Sequence, residues 1–164
     1  MIELDAVLPG PPEVVWALLT DWEHQDDWML EASDFVVTST AREGVGVEAE
    51  ATITIGGIST RDAIRVVGWE PPHRLAIEHL GWVGGTGELF LTPVEHGSTY
   101  IYWREELIPP LGPPGFVGIT LYKPLMRRIF RRDLRVLASL VRVVARPPGR
   151  AGDDAGAANH PPRR

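Results

Sequence analysis

The stretch GVEAEATITIGGISTRDAIRVVGW, residues 46–69, decides the fold because it fixes how two neighbouring strands pair. Apolar and polar side chains alternate along residues 47–55, and a second alternating run follows the glycines at 56–57. A Gly-Gly pair between two such runs predicts a β-hairpin with a two-residue turn. That turn would place Glu48 opposite Arg65 on the outer face, and this pairing of unlike charges supports the register.

The inner face of the same hairpin combines small side chains with one acid. The register places Ala49 opposite Ile64 and Ala51 opposite Asp62. An inward carboxylate must be paired, hydrated or protonated, because stripping a lone charge of water costs several kcal/mol. Asp62 is therefore a candidate catalytic acid or base. An ion pair with an arginine, or a place at the exposed end of the strand, would explain this residue equally well.

Three further segments alternate in the same way and are separated by turn residues, which predicts more antiparallel strands. In the first of them, the alternation places Leu75, Ile77 and His79 on the inner face. His79 is thus a second inward polar candidate. The segments are HRLAIEHL at 73–80, TGELFLTPV at 86–94 and STYIYWREEL at 98–107.

The last two strands are predicted to form a hairpin around EHGS. The alternation distinguishes its inner face from its outer face only weakly. We expect Thr99, Ile101 and Trp103 to face inward, with Glu88 and Phe90 across from them. The opposite face is almost as apolar, since it would carry Tyr100 and Tyr102 together with two leucines of the preceding strand. The two tyrosines become candidate proton donors if that face is the inner one.

Near the start of the chain, WALLTDWEHQDDW at 16–28 places acids between tryptophans. A helix begins after PGPP, and the acids of this stretch spread around its end instead of converging on one centre. A metal site needs several ligands aimed at one ion, so we assign no metal site here. Trp28 is too large to leave in water without reason. We expect the chain to bend after Trp22 so that Trp28 returns to the core or to the mouth of a cavity.

The C-terminal part contains a long amphipathic helix that follows the proline-rich loop at 107–124. We expect this helix to start or to kink at Pro124, with Leu137 and Val141 on its buried face. Its other faces are rich in arginine, and six basic residues lie between 123 and 135. Residues 147–164 contain few apolar side chains and are predicted to form a disordered tail, which leaves a domain of residues 1–146.

Composition and charge narrow the functional classes. The chain has 164 residues, no cysteine and a net charge of -6. Residues 123–146 have a net charge of +7 and residues 147–164 of +1, which leaves -14 for residues 1–122. The strong negative charge of residues 1–122 argues against nucleic-acid binding, because nucleic-acid phosphates require a basic surface. We expect a soluble cytoplasmic protein, because no apolar run is long enough to span a membrane and the start of the chain lacks a secretory signal.

The order of one strand, a helix with a short second helix, about six strands and a long final helix resembles the helix-grip superfamily. That superfamily includes START lipid-transfer domains, the birch-pollen-allergen family and bacterial polyketide cyclases/dehydrases (SRPBCC). The similarity covers about residues 2–146, although the loop at 107–124 is longer and more apolar than that pattern. It is carried by PPEVVWALLTDWEHQDDW at 11–28, EPPHRL at 70–75, LTPVEHGSTYIYW at 91–103 and a closing helix that ends near Leu140.

The resemblance implies an α+β helix-grip fold, in which a curved antiparallel sheet wraps around the C-terminal helix and encloses an apolar cavity. Asp62, His79 and Glu88 are then the candidate catalytic residues, and no cofactor is expected. The oligomeric state stays open. The candidate ligand contacts are Trp28, Ala51, Ile53, Ile64, Ile77, Phe90, Ile101, Trp103, Leu137 and Val141.

Three functions fit this fold. The first is to bind or carry a hydrophobic small molecule such as a lipid, an isoprenoid or a polyketide. The second is catalysis by a polyketide aromatase/cyclase or dehydratase that uses the inward acids and bases. The third is transient docking on an anionic membrane surface or on a partner through the basic C-terminal helix. Fold alone does not choose among them, because function depends on the residues that line the cavity.

Overall fold

The computed structural model describes residues 1–108 and 113–146. Seven antiparallel strands form one sheet in the order β1-β7-β6-β5-β4-β3-β2, and a long helix packs along β1. This arrangement confirms the predicted α+β helix-grip fold, whereas the predicted tail at 147–164 lies outside the described residues. The elements are β1 (Ile2–Leu8), α1 (Pro12–Thr20), a 3-10 segment (Trp22–Asp27), β2 (Ala32–Val37), β3 (Glu48–Ile55), β4 (Ile58–Glu70), β5 (Arg74–Leu80), β6 (Gly84–Val94), a 3-10 turn (Glu95–Gly97), β7 (Ser98–Ile108) and α2 (Pro113–Val144).

The predicted hairpin is β3 and β4, and its register is confirmed. Glu48 pairs with Arg65 across the strands, and Ala51 pairs with Asp62. The turn glycines at 56–57 both have a positive φ, of 61° and 82°, which only glycine adopts without strain. On the outer face the Arg65 guanidinium lies 2.8 Å from the Glu48 carboxylate. The alternating pattern therefore set both the pairing and the inward face of these strands.

The β6–β7 hairpin corrects one prediction. Its connection is the three-residue turn Glu95–Gly97, so Leu89 pairs with Trp103 and both are buried. Glu88 and Phe90 consequently face outward, and their predicted inward orientation is wrong. When a hairpin connection has an odd number of residues, odd-numbered residues of one strand pair with odd-numbered residues of the other. The predicted pairing set even-numbered residues of β6 opposite odd-numbered residues of β7, which requires a connection with an even number of residues.

The first helix ends at Thr20, two residues before the bend that was predicted after Trp22. The 3-10 segment Trp22–Asp27 follows the helix, and Trp28 returns to the core with 3 % of its surface exposed. The cause is local, because the buried side-chain amide of Gln25 donates a hydrogen bond of 2.9 Å to the carbonyl oxygen of Leu19. That bond satisfies a carbonyl that the end of a helix would otherwise leave without a partner.

The final helix is longer than predicted. It begins at Pro113, and Pro124 lies inside it, so the expected start at Pro124 is wrong and much of the predicted loop at 107–124 is helical. A proline removes one main-chain hydrogen bond, and packing of the amphipathic face can hold a helix together across that defect. The segment between the two prolines has no clear helical period, so its pattern predicted a loop.

The hydrophobic core is dense at one end of the sheet. Side chains from β1, α1, β7 and the C-terminal half of α2 meet there with at most 2 % of their surface exposed. We call this region the closed end. It contains Leu8, Val15, Ile101, Leu137 and Val141.

Truncation of a closed-end side chain should reduce stability strongly. Leu137→Ala removes a fully buried side chain from a packed region, so we expect the free energy of unfolding to fall by about 2–5 kcal/mol. Val143→Ala on the same helix is the matched control, because Val143 is 73 % exposed and should change stability by less than about 0.5 kcal/mol. Urea denaturation of the two variants measures both effects, and equal effects would contradict the assignment of the closed end.

Candidate functional site

An apolar cavity of about 350 Å³ lies between the sheet and the N-terminal half of α2. It opens beside the β3–β4 turn and the β5–β6 turn, at the end of the sheet opposite the closed end. Six of the ten predicted ligand contacts lie in its wall. They are Trp28, Ala51, Ile53, Ile64, Ile77 and Trp103.

The other four predicted contacts lie elsewhere. Ile101, Leu137 and Val141 face the interior but belong to the closed end, so they pack in the core instead of lining the cavity. Phe90 is on the outer face, where its ring lies 6.1 Å from that of Tyr102. Periodicity identified which side chains point inward, but it could not show how far along each strand the interior stays open.

Three aromatic side chains form one wall of the cavity. The Trp103 ring lies 4.5 Å from the ring of Phe130 on α2 and 6.2 Å from that of Trp28, which it meets edge to face. The indole Nε1 of Trp28 is buried and has no hydrogen-bond partner among the described residues. This wall therefore presents flat apolar surface with few polar groups, which suits a hydrophobic ligand.

A charged cluster lies in the sheet wall next to Trp103. Nδ1 of His79 lies 3.0 Å from Oδ2 of Asp62, and Nε2 of His79 lies 2.6 Å from Oε1 of Glu105. The indole Nε1 of Trp103 donates a hydrogen bond of 2.9 Å to the other Glu105 oxygen. Both His79 nitrogens thus face acceptors, and the ring is held as an imidazolium between two carboxylates. We call Asp62, His79 and Glu105 the charged cluster.

Two glycines make room for the charged cluster. A Cβ on Gly81 would lie 2.3 Å from Oδ1 of Asp62, and a Cβ on Gly87 would lie 2.7 Å from Oε2 of Glu105. Both contacts are far shorter than van der Waals distance, so any larger residue would displace the carboxylate. The backbone is therefore shaped around these acids as well as around the strands.

Protonation of His79 is strongly favoured. Burial alone would lower the pKa of His79, but the hydrogen bonds to Asp62 and Glu105 outweigh it and raise the pKa from 6.5 to about 10. At neutral pH the imidazolium carries its proton and cannot act as a base. Any proton acceptor in the charged cluster must then be a carboxylate, and Asp62 is the more exposed of the two.

A second cluster lies on the α2 side of the cavity. The Arg132 guanidinium contacts the carboxylates of Glu31 and Asp133, and both acids line the cavity. Asp133 is 2 % exposed, and its burial raises the pKa of its carboxyl although Arg132 opposes the rise. Like the charged cluster, this group sets two carboxylates against one cation.

The third predicted catalytic residue does not belong to the site. Glu88 lies on the outer face, where it pairs with Arg74 at 2.8 Å and also with Arg104. The hydrogen bond from Arg74 lowers the pKa of Glu88. The alternative donors lie on that same face, since Tyr102 donates to Glu3 at 2.8 Å and Tyr100 is exposed. The outer face of β6 and β7 is thus an ion-paired surface.

Three acids of the site were missed, namely Glu31, Glu105 and Asp133, and the sequence carried a readable signal for the last two. Glu105 follows Thr99, Ile101 and Trp103 at a spacing of two, so its inward position was readable from the alternation of β7. Asp133 lies four residues from Leu137 on the buried face of α2, so its spacing also indicated the interior. For both residues the charge favoured a solvent-exposed position, whereas the spacing from buried neighbours indicated a position in the interior.

The acids of residues 21–27 lie at the surface end of the first helix. Asp21 contacts the His24 ring at 2.9 Å, and both side chains are exposed. Among residues 1–108 and 113–146, no group of three histidines or acids is arranged to hold a metal ion. None of the helices in these described ranges combines the length and the hydrophobicity needed to cross a membrane.

The chain matches one protein family in sequence and several solved structures in fold. The family described as polyketide cyclase/dehydrase and lipid transport matches residues 2–142. No curated protein sequence is similar enough to match the chain. The three solved structures named next are at most 20 % identical to this chain, so their similarity shows the fold alone.

Three of those structures illustrate the similarity. TTHA0849 from Thermus thermophilus is 20 % identical with a TM-score of 0.74, over 88 % of this chain and 99 % of that one. The Zhui aromatase/cyclase from Streptomyces sp. R1128 is 15 % identical with a TM-score of 0.76, over 90 % and 96 % of the two chains. A START superfamily protein from Mycobacterium smegmatis is 13 % identical with a TM-score of 0.69, over 87 % and 97 %.

The charged cluster predicts a specific pH dependence of stability. Because the folded pKa of His79 is raised to about 10, its contribution is complete below about pH 6.5 and is lost as the pH rises toward 10. We expect the free energy of unfolding to fall by about 1 kcal/mol per pH unit across that window. In His79→Gln this slope should flatten, and denaturant titrations at pH 7, 8, 9 and 10 measure it.

His24→Gln is the matched control for that experiment. His24 also pairs with an aspartate, but it is fully exposed, so this variant should keep the slope of the wild-type chain above pH 8. Parallel stability curves for the wild-type and His79→Gln chains from pH 7 to 10 would contradict a buried imidazolium at His79.

Proposed function

Because the chain belongs to the polyketide cyclase/dehydrase and lipid transport family, we propose that it binds and carries a hydrophobic small molecule in its internal cavity. The observation that carries this proposal is the cavity itself, which has about 350 Å³ of space and a largely apolar wall. Pockets of roughly 300–1,000 Å³ are typical of sites for small organic ligands.

Small side chains keep this space open. Ala49 and Ala51 of β3 are buried and line the cavity, and each projects only a methyl group from the sheet. Protein interiors are normally packed as densely as organic crystals, so an apolar space of this size is unusual in a protein without a ligand. A bound apolar molecule would restore the missing contacts.

The mouth of the cavity is also apolar. Trp82 in the β5–β6 turn is 66 % exposed, and Tyr122 on α2 is 44 % exposed, although both line the cavity. Large apolar side chains that are left in water around an opening are typical of ligand entrances. They support entry of the ligand from this end.

A variant that fills the cavity tests the proposal. Ala51→Leu projects a larger side chain into the cavity, so we expect roughly tenfold weaker binding of an environment-sensitive apolar dye, which is about 1.4 kcal/mol. Thr52→Leu changes the next residue of β3, which points to the outer face, and it should leave the affinity within a factor of two. Fluorescence titration measures both, and saturable binding that neither variant alters would place the dye outside the cavity.

A second function is favoured by the charged cluster, whose acids sit in an otherwise apolar wall. We propose it as the alternative: dehydration or cyclisation of a polyketide-like β-hydroxy carbonyl compound. Asp62 would take the proton α to the carbonyl and return it to the β-hydroxyl, which leaves as water. His79 would hold Asp62 in place through its imidazolium.

One variant distinguishes the carrier function from the catalytic function. Asp62→Asn keeps the size of the side chain and removes the base, so ligand affinity should stay within a factor of three while any dehydration falls at least 100-fold. Binding is measured with the dye, and turnover is measured by the absorbance of the conjugated product. If Asp62→Asn kept full turnover of a confirmed substrate, Asp62 would not be the base.

A further inference from the structure

A basic groove runs beside the mouth of the cavity. Its basic wall is the row Lys123, Arg127 and Arg131 on α2, and its other wall is the start of β1. Residues spaced by four lie one above the other on a helix, so the three cations form a stripe along one side of the groove. Met1 and Ile2 give the groove an apolar side. We call this feature the basic groove.

The cations of the groove have no ionic partner within the described part of the chain. Lys123, Arg127 and Arg131 do not contact any carboxylate there, whereas the neighbouring Arg132 contacts two. Elsewhere the arginines of the sheet pair with acids, as Arg61 does with Glu50 at 2.8 Å. Arg128, Arg135 and Arg142 on α2 likewise contact no carboxylate in the described part of the chain, but they do not line the groove, where three such cations lie side by side.

The groove adjoins the cavity. Met1, Ile2 and Lys123 line both of them, so the two spaces share part of one wall. Lys123 is half-buried at this junction, and its ammonium group can stay in water while its stem contacts apolar surface. The junction therefore joins an apolar space to a positively charged one.

The two charged groups in the cavity wall disfavour an anion beside them. The charged cluster and the Glu31–Arg132–Asp133 cluster each set two carboxylates against one cation, so each has a formal charge of -1. An anionic group placed beside either cluster would be repelled at low dielectric. An anionic head group is therefore better placed in the basic groove, whose side chains are cationic, than beside either cluster.

From this arrangement we infer that the ligand is an apolar molecule with a single anionic head group, a carboxylate or a phosphate, whose head lies in the basic groove. The inference rests on the proposed carrier function and adds the polar end of the ligand to it. Arg127 and Arg131 would bind the head, and Lys123 would hold it at the junction. Guanidinium groups suit both anions, because their paired donors match two oxygens at once.

Matched ligands test this inference. Dodecanoate, dodecyl phosphate and dodecanol share one apolar chain and differ in the head group. Each is titrated by calorimetry into the full chain at low salt, below the concentration at which it aggregates. We expect both anions to bind roughly tenfold more tightly than the alcohol, because hydrogen bonds between charged groups are stronger than those to a neutral hydroxyl. The difference should shrink in 0.5 M salt.

Two double variants locate the effect. Arg127→Gln with Arg131→Gln should weaken binding of the anions about tenfold and change binding of dodecanol less than twofold. Arg128→Gln with Arg142→Gln removes the same charge from exposed positions of the same helix outside the groove. This control should keep the preference for anions. Equal losses in both variants would overturn the inference, because they would reflect the overall charge alone.

The remaining outcomes separate this inference from the carrier function and from a membrane surface. If dodecanol binds as tightly as the anions, the groove inference fails while the carrier function stands. If none of the three ligands or the dye binds, the carrier function fails with it. If the Arg127/Arg131 variant loses binding to phosphatidylglycerol vesicles but keeps its affinity for dodecanoate, the groove binds bilayer head groups and the inference is wrong.

Discussion

The structure depends on one geometric constraint, which is that a single helix cannot fill the concave face of a seven-stranded sheet. α2 packs along β1 and contacts α1. The inner faces of β3, β4 and β5 therefore line a cavity instead of packing against the helix. At the closed end, α1 and the C-terminal half of α2 supply enough side chains to fill the interior. The fold therefore separates a half that stabilises the chain from a half that leaves room for a ligand.

The polar groups of the interior follow from the same separation. Carboxylates in an apolar wall need partners, and each pair here shares one cation that is held by short hydrogen bonds. This arrangement satisfies the acids but leaves each cluster with a formal negative charge. The cations of the basic groove, which contact no carboxylate among the described residues, lie outside the cavity. The cavity wall and the basic groove thus differ in charge, and the inference about the head group rests on this difference.

Much of the fold could be predicted from local patterns, and each failed prediction has its own physical reason. The β3–β4 register followed from a two-residue glycine turn, and it correctly turned Asp62 inward. Glu88 was misplaced because the odd length of the 95–97 turn was not recognised, and the helix before Pro124 lacked a periodic pattern. The cavity itself depends on which elements meet across the sheet, and no local pattern encodes where the packing around Leu137 stops and open space begins.

Native mass spectrometry of the freshly purified chain, followed by organic extraction, would detect a single apolar molecule in the cavity. We expect a mass shift of one discrete species per chain, or its appearance after incubation with dodecanoate, and a lower occupancy of that species in Ala51→Leu. A chain that stays at its apo mass after incubation with dodecanoate, dodecanol and the apolar dye would contradict the proposed carrier function.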